Sequence, residues 1–168
     1  MIEFEEALER KKPTYLAQEK EINFAYPESQ NIFRRLVERG HVGIFLADVK
    51  GYVFYVNHAF VRTLGYETKD DVLGTNLADI IFKNRLKRQE FLKKLNETGT
   101  IPDYELKVAR RDHLEITLSV TGNLIEDSDG KPIGLEGMIH DVTEKNRLEE
   151  TVLTEKQKLE QLLEFDET

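Results

Sequence analysis

The hydrophobic pattern changes period several times along the chain, and each change predicts an element. Ile32, Phe33, Leu36 and Val37 fall on one helical face, with Ser29 as N-cap and Gly40 as the stop. Val42 to Asp48 is apolar and strand-like. Asp48-Val-Lys-Gly51 reads as a turn in which Gly51 can take positive φ, and Tyr52 to Val56 is aromatic and β-branched. These two runs predict an antiparallel hairpin. Asn57 then caps a short helix carrying Ala59, Phe60, Val61 and Leu64, ended by Gly65. A second short helical piece surrounds Asp70–Leu73, with Gly74 as its stop, and the apolar Leu77, Ile80, Ile81 and Phe82 follow. Residues 84–98 predict a longer helix with Leu86, Phe91, Leu92 and Leu95 facing inward, closed by Thr98-Gly99.

The period then falls to two. Tyr104, Leu106 and Val108 alternate with polar residues, as do Leu114, Ile116, Leu118 and Val120. In a third run Ile133, Leu135, Gly137 and Ile139 alternate with Gly134, Glu136, Met138 and His140. Arg111-Asp112-His113 and Asp127-Ser-Asp-Gly130 supply the turns. Strands and helices come in runs, in the order β-β-α-α-α-β-β-β, which predicts an α+β fold with one antiparallel sheet.

At Asp141 the strand period gives way to a helix rich in Glu, Lys, Gln and Leu. Asp141 and Thr143 are both helix-capping residue types. Asp141 and Glu144 also have capping-box spacing, with Asp in place of the usual Ser or Thr. A strand wired directly to an exiting helix can pass a change in the sheet downstream, so Asp141 and Thr143 are the candidate coupling residues; a purely local cap is the alternative. Within residues 144–165, Leu148, Val152, Leu159 and Leu162 fit alternating d and a positions of a heptad, with Glu155 weakening the seam. A coiled coil is favoured over a single helix lying across its own domain. At the other end, Phe4, Ala7 and Leu8 share a helical face before Pro13, so the first residues read as a helical flank that needs a partner. The chain thus divides into 1–28, 29–143 and 144–168.

Composition narrows the chemistry. At 168 residues the chain can bury one core, and with 33% charged residues the charge collects in the two flanks. A net charge of -8 argues against a phosphate-backbone binder, so no nucleic-acid partner is expected. There are no cysteines, which removes disulfides, thiolate metal sites and cysteine nucleophiles together and fits a reducing compartment. No apolar run approaches about 18 residues, and the N-terminus has no signal-peptide pattern. A cytoplasmic segment without membrane contact is the expectation.

No enzyme is legible. Gly65, Gly74 and Gly99 are isolated stops, not a phosphate loop, and Asp70 and Asp71 read as a solvated turn. No catalytic residue is assigned. His41, His58, His113 and His140 lack metal-site spacing, so no metal is expected. His140 at a strand end has the chemistry of a group titrating near neutrality, but reads as an exposed strand residue. Lys83, Arg85, Lys87, Arg88, Lys93 and Lys94 make the long helix basic. In an acidic chain this reads as a solvated face or a docking edge for acidic flanks.

Gly43-Ile-Phe-Leu-Ala-Asp48, Gly51, Asn57-His-Ala-Phe60, Leu64-Gly-Tyr66, Leu73-Gly74, Asp129-Gly130, Gly137 and Asp141-Val-Thr143 together resemble a PAS domain with its C-terminal PAC part, over residues 30–143. Asp112-His113 stands where that family often has Asp-Gly, and Val142 where Ile is common. The resemblance implies a five-stranded antiparallel sheet with short helices over one face. It implies a sensory module in a larger signalling protein, typically a histidine kinase or a cyclic-dinucleotide enzyme, with a homodimer formed by flanking helices and an effector in the same chain. Haem-binding members use a histidine on the long helix, and residues 84–98 contain none, so haem is not expected. Cysteinyl-flavin photochemistry is excluded by the missing cysteine; a non-covalent flavin or a small metabolite stays open.

A ligand would lie between the sheet's inner face and the helices. Phe60, Leu64, Leu86 and Leu106 line that space in this reading, with Ile116, Leu118, Leu135 and Ile139. Three functions follow: a sensor that moves its C-terminal helix, a dimerisation or interaction module with a filled core, and the PAS part of a transcription regulator.

Overall fold

The computed structural model describes residues 27–166; the helical flank expected over the first residues lies almost entirely outside them. Helix α1 (Pro27–Arg39) is followed by strands β1 (Gly43–Ala47) and β2 (Val53–Val56). Helix α2 (His58–Thr63), a single 3-10 turn (Lys69–Asp71), α3 (Leu77–Ile80) and α4 (Arg85–Thr98) come next. Three long strands, β3 (Thr100–Ala109), β4 (Glu115–Glu126) and β5 (Pro132–Asp141), lead into α5 (Thr143–Asp166). The five strands form one antiparallel sheet in the order β2-β1-β5-β4-β3. The fold is the expected α+β sheet with helices on one face.

The topology explains the layering. Strands β2 and β3 are opposite edges of the sheet, so the chain between them must cross it, and it does so as α2, the 3-10 turn, α3 and α4. These helices bury Phe60, Leu64, Ile80 and Phe91 against the inward residues of the strands. Each such side chain removed from water contributes about 1.5–3 kcal/mol. On β3 the inward set is Tyr104, Leu106 and Val108, the period-two pattern read from the sequence.

Two glycines set the depth of the core. Gly122 of β4 and Gly137 of β5 are register partners, and Gly137 also faces Phe45 of β1. A Cβ at Gly137 would collide with the Phe45 ring, and one at Gly122 would lie 2.8 Å from the tip of Phe91. The bare backbone of two adjacent strands therefore receives two aromatic rings. Phe91 in turn packs on Phe82 and edge-on to Tyr104, with ring centroids 4.6 and 5.5 Å apart.

Several expectations are corrected. Leu86 is 76% exposed and Leu92 is also exposed, whereas Phe91 and Leu95 are buried. Phe91 and Leu95 are one helical turn apart and fix which face of α4 meets the sheet. Leu86 precedes Phe91 by five residues, about 140° around the helix, so it points away. Leu114 and Ile133 are exposed because each lies at the turn end of its hairpin rather than in the covered part of the sheet. The first helix starts at Pro27, so Ser29 falls in its first turn rather than at its cap, and Ile32 and Leu36 are exposed. The piece around Asp70 is a 3-10 turn, not an α-helix.

Candidate functional site

The junction between β5 and α5 is where the sheet is tied to the exit helix. Asp141 Oδ1 accepts hydrogen bonds from Thr143 N at 3.0 Å and from Thr143 Oγ1 at 2.6 Å. The same Thr143 hydroxyl oxygen accepts from the backbone N–H of Thr117 on β4 at 2.8 Å. Val142, buried between them, donates its N–H to the Thr117 carbonyl at 2.9 Å. The start of α5 is thus stitched both to the strand it leaves and to the neighbouring strand. The capping box with Glu144 does not form: Glu144 pairs with Arg147 at 2.8 Å, and Asp141 caps through Thr143 instead. A third contact lies one turn on, where Asn146 Nδ2 reaches both carboxylate oxygens of Glu105 on β3 at 3.4–3.5 Å.

Along α5 the side chains of Leu148, Val152, Leu159 and Leu162 are exposed, as are Leu153, Leu163 and Phe165. None of the helix's described residues is buried.

On the inner face the sequence left a ligand pocket and a filled core open. Phe60, Leu64, Ile116, Leu118, Leu135 and Ile139 all belong to one contiguous buried cluster, packed around Phe45 and Phe91. Leu86 lies outside it. Leu106 is buried too, but it also borders a cleft of about 350 Å³ at the β3 edge of the sheet. Ile80, Ile81, Lys83, Asn84 and Lys87 form one wall, from the connection between α3 and α4. The opposite wall is residues 105–109 of β3, with Thr117 behind it. Sequence reasoning missed this cleft and missed Thr117, because both depend on which residues of distant segments come to lie side by side.

A second polar cluster fastens α1. Glu38 accepts from Lys69 Nζ at 2.9 Å and from the Tyr55 hydroxyl at 2.9 Å, with His58 Nε2 at 3.9 Å. Burial works to raise the Glu38 pKa, but the hydrogen bonds from Lys69 and Tyr55 outweigh it and hold the carboxyl below its ordinary value. Beside it, Asn57 is fully buried, with four hydrogen bonds. Its Oδ1 accepts from Ile44 N and Phe60 N, and its Nδ2 donates to the carbonyls of Val37 and Val42.

The PAS fold model matches residues 31–142. The chain belongs to the PAS family. Among solved structures, the PAS domain of a protein from Colwellia psychrerythraea is 14% identical, with a TM-score of 0.61, over 68% of this chain and 98% of that one. A sensory box histidine kinase/response regulator from Burkholderia thailandensis is 25% identical, with a TM-score of 0.58, over 77% of this chain and 98% of that one. A LOV domain from a blue-light activated histidine kinase of Erythrobacter litoralis is 20% identical, with a TM-score of 0.52, over 60% of this chain and 95% of that one. No curated protein matches the chain in sequence. PAS modules are generally sensory and non-catalytic, and this one is a PAS sensory domain whose neighbours include sensor histidine kinases.

The side chains present supply neither a histidine facing the inner side of the sheet nor a cysteine for a flavin adduct. All four histidines are exposed, so none faces the inner side of the sheet as a haem ligand. No cysteine is available for a flavin adduct, and the Phe45 and Phe91 rings occupy the space over Gly137 and Gly122. Among the described residues no group of three His, Cys, Asp or Glu side chains is placed to hold a metal, and no helix is long and apolar enough to cross a membrane.

Proposed function

We propose that this PAS domain is a sensory relay that transmits through α5 to an effector in the same polypeptide, such as a histidine kinase or a cyclic-dinucleotide enzyme. The observation that carries this reading is the Thr143 hydroxyl, which donates to Asp141 and accepts from Thr117. A small change in the spacing of β4 and β5 would act directly on the first turn of α5. The exposed Leu148, Val152, Leu159 and Leu162 support a homodimer in which two α5 helices pack together and carry that displacement onward. The likeness to a sensory box histidine kinase supports the kind of effector.

The test uses the chain fused after Thr168 to a histidine kinase core, with autophosphorylation as the readout. Asp141→Ala and Thr143→Val each remove two exposed hydrogen bonds at the junction and cost about 1 kcal/mol, which lowers the Tm by only a few degrees in a domain of this size. The expected result is a folded domain whose fused kinase is locked or uncoupled. A variant that unfolds outright makes these residues structural, and a kinase that responds normally leaves only a helix cap. Truncation at residue 143 is expected to weaken the dimer in sedimentation; equal self-association with and without α5 defeats the coiled-coil arrangement.

A second reading, a relay and dimerisation module with a solid core, is favoured by the aromatic filling over Gly122 and Gly137. Under it the purified protein carries no chromophore and absorbs nothing beyond about 330 nm, where visible bands belong to cofactors. A stoichiometric flavin spectrum would overturn it.

A further inference from the structure

We propose that the cleft at the β3 edge is a binding site for a small organic anion: a carboxylate or phosphate ester carried on a short apolar body. The proposal deepens the sensory reading above by naming a ligand class and a place for it.

The cleft combines two features that such a ligand needs together. Its floor is apolar, made by Ile80, Ile81, Leu106 and Val108, all of them buried in the core. Three lysines border it, Lys83 and Lys87 from the helical wall and Lys107 from β3; Glu105 is the one acid among the lining residues, with Glu90 near Lys87 and Glu115 near Lys107. This concentration of positive charge occurs in a chain whose net charge is -8. Its volume of about 350 Å³ sits at the lower end of the range for small-molecule sites, about 300–1,000 Å³.

Two of the bordering lysines have only weak partners. Lys87 leans over the Tyr104 ring, with Nζ 5.7 Å from the centroid. Lys107 faces Glu115 at 3.5 Å, with both side chains well exposed, an ion pair that contributes little in water. An incoming oxyanion competes with Glu115 for Lys107 at small cost. Lysine is a compact point charge without the planar fork of arginine, so it receives carboxylate and phosphate alike. The apolar floor is what selects an ester or an acid with a body over the bare ion.

The position also matters. Glu105 and Thr117 line the cleft, and they are the two residues whose partners, Asn146 and Thr143, begin α5. An anion bound there sits against the same β3–β4 segment that holds the exit helix.

Phenyl phosphate and phenylacetate serve as probes, with inorganic phosphate and benzyl alcohol as controls. Binding to the full chain is followed by backbone amide NMR titration. Both probes are expected to saturate with shifts at Ile81, Lys83, Leu106 and Thr117. The two controls are expected to bind at least about tenfold more weakly, since each lacks one half of the recognition. Lys83→Gln and Lys87→Gln, both on the surface, are expected to weaken the probes about tenfold each, with an unchanged amide spectrum in the free state. Three results overturn the proposal. One is inorganic phosphate binding as tightly as phenyl phosphate. Another is a double lysine variant with unchanged affinity. The third is shifts centred on Phe45 and Phe60 in the interior. The kinase fusion tests the relay separately, so failure of one leaves the other standing.

Discussion

Replacing Asn57 should be the most damaging polar substitution in the domain. Asn57 is 0% exposed, and its amide fills all four hydrogen-bonding positions. It accepts from Ile44 N at 2.8 Å and Phe60 N at 3.0 Å, and it donates to the Val37 carbonyl at 2.7 Å and the Val42 carbonyl at 3.0 Å. Asn57→Ala orphans two donors and two acceptors. Each costs about 1–3 kcal/mol if it stays dry. Water entering the vacated volume and movement of α1 relieve part of this, so the expected loss is about 3–5 kcal/mol, a large share of a typical domain stability. Asn57→Asp separates the two sides of the hub. The carboxylate keeps both acceptor bonds but faces the two carbonyls with lone pairs. Burial and those carbonyls raise the pKa of the introduced acid, so its deficit is largest at neutral pH and shrinks as pH falls through the raised value. Urea unfolding followed by circular dichroism, at pH 7 and about pH 5.5, measures both effects. Hydrogen exchange adds a local readout: amides at the end of α1 should lose protection first, because Val37 is one of the acceptors. A loss below about 1 kcal/mol for Asn57→Ala would refute the reasoning, since it would mean the four groups find partners elsewhere. An Asn57→Asp deficit that grows on acidification relative to the parent would refute the electrostatic part.

Three further outcomes follow from local geometry. Gly137→Ala places a methyl against the Phe45 ring and 2.5 Å from the Thr121 carbonyl oxygen. Backbone cannot give way as a side chain can, so a loss of about 1–3 kcal/mol or more is expected in urea unfolding; a neutral substitution would show that the β4–β5 spacing is soft. His113 sits at φ 69 in the β3–β4 turn, the left-handed region. His113→Gly should therefore raise stability by about 0.5–1 kcal/mol after the entropy of the unfolded glycine is counted, and a fall in Tm contradicts this. Glu38→Gln should cost about 1 kcal/mol at neutral pH. The folded-state pKa of Glu38 lies below its ordinary 4.5, so its contribution is present above that value and is lost as pH falls through the lowered one. The gap between parent and variant should narrow on acidification, and a gap that does not change as pH falls rules out a charge-based role.

Much of the fold was legible because its signals are local. The period-two runs of β3, β4 and β5 each appear with the expected inward residues, apart from the hairpin ends at Leu114 and Ile133. Gly51 and Gly99 take positive φ, at the hairpin turn and at the end of α4. The departure at His113 was visible too: a histidine stands where the family often has glycine, and the backbone still adopts the glycine conformation. Leu86 shows where local reading stops. A leucine in the first turn of a helix looks like any other apolar residue, and only the seating of Phe91 on Gly122 decides the rotation that turns Leu86 outward.

The site was less legible than the fold, for a different reason. Asp141 and Thr143 drew attention as caps, a property of adjacent residues. Their further link to Thr117 arises from the β4–β5 register, in which Leu118 lies opposite Asp141. Shifting that register by one residue would keep every strand and every cap while turning Thr117 to the other face. The cleft depends on the same kind of information, since Lys83 and Lys107 come to border one cleft only because α4 packs beside β3 after the Gly99 turn. Sequence periodicity says which face a residue takes within its own element. Register and turn geometry decide what stands opposite it, and in this domain that is where both the coupling to α5 and the basic rim of the cleft are made.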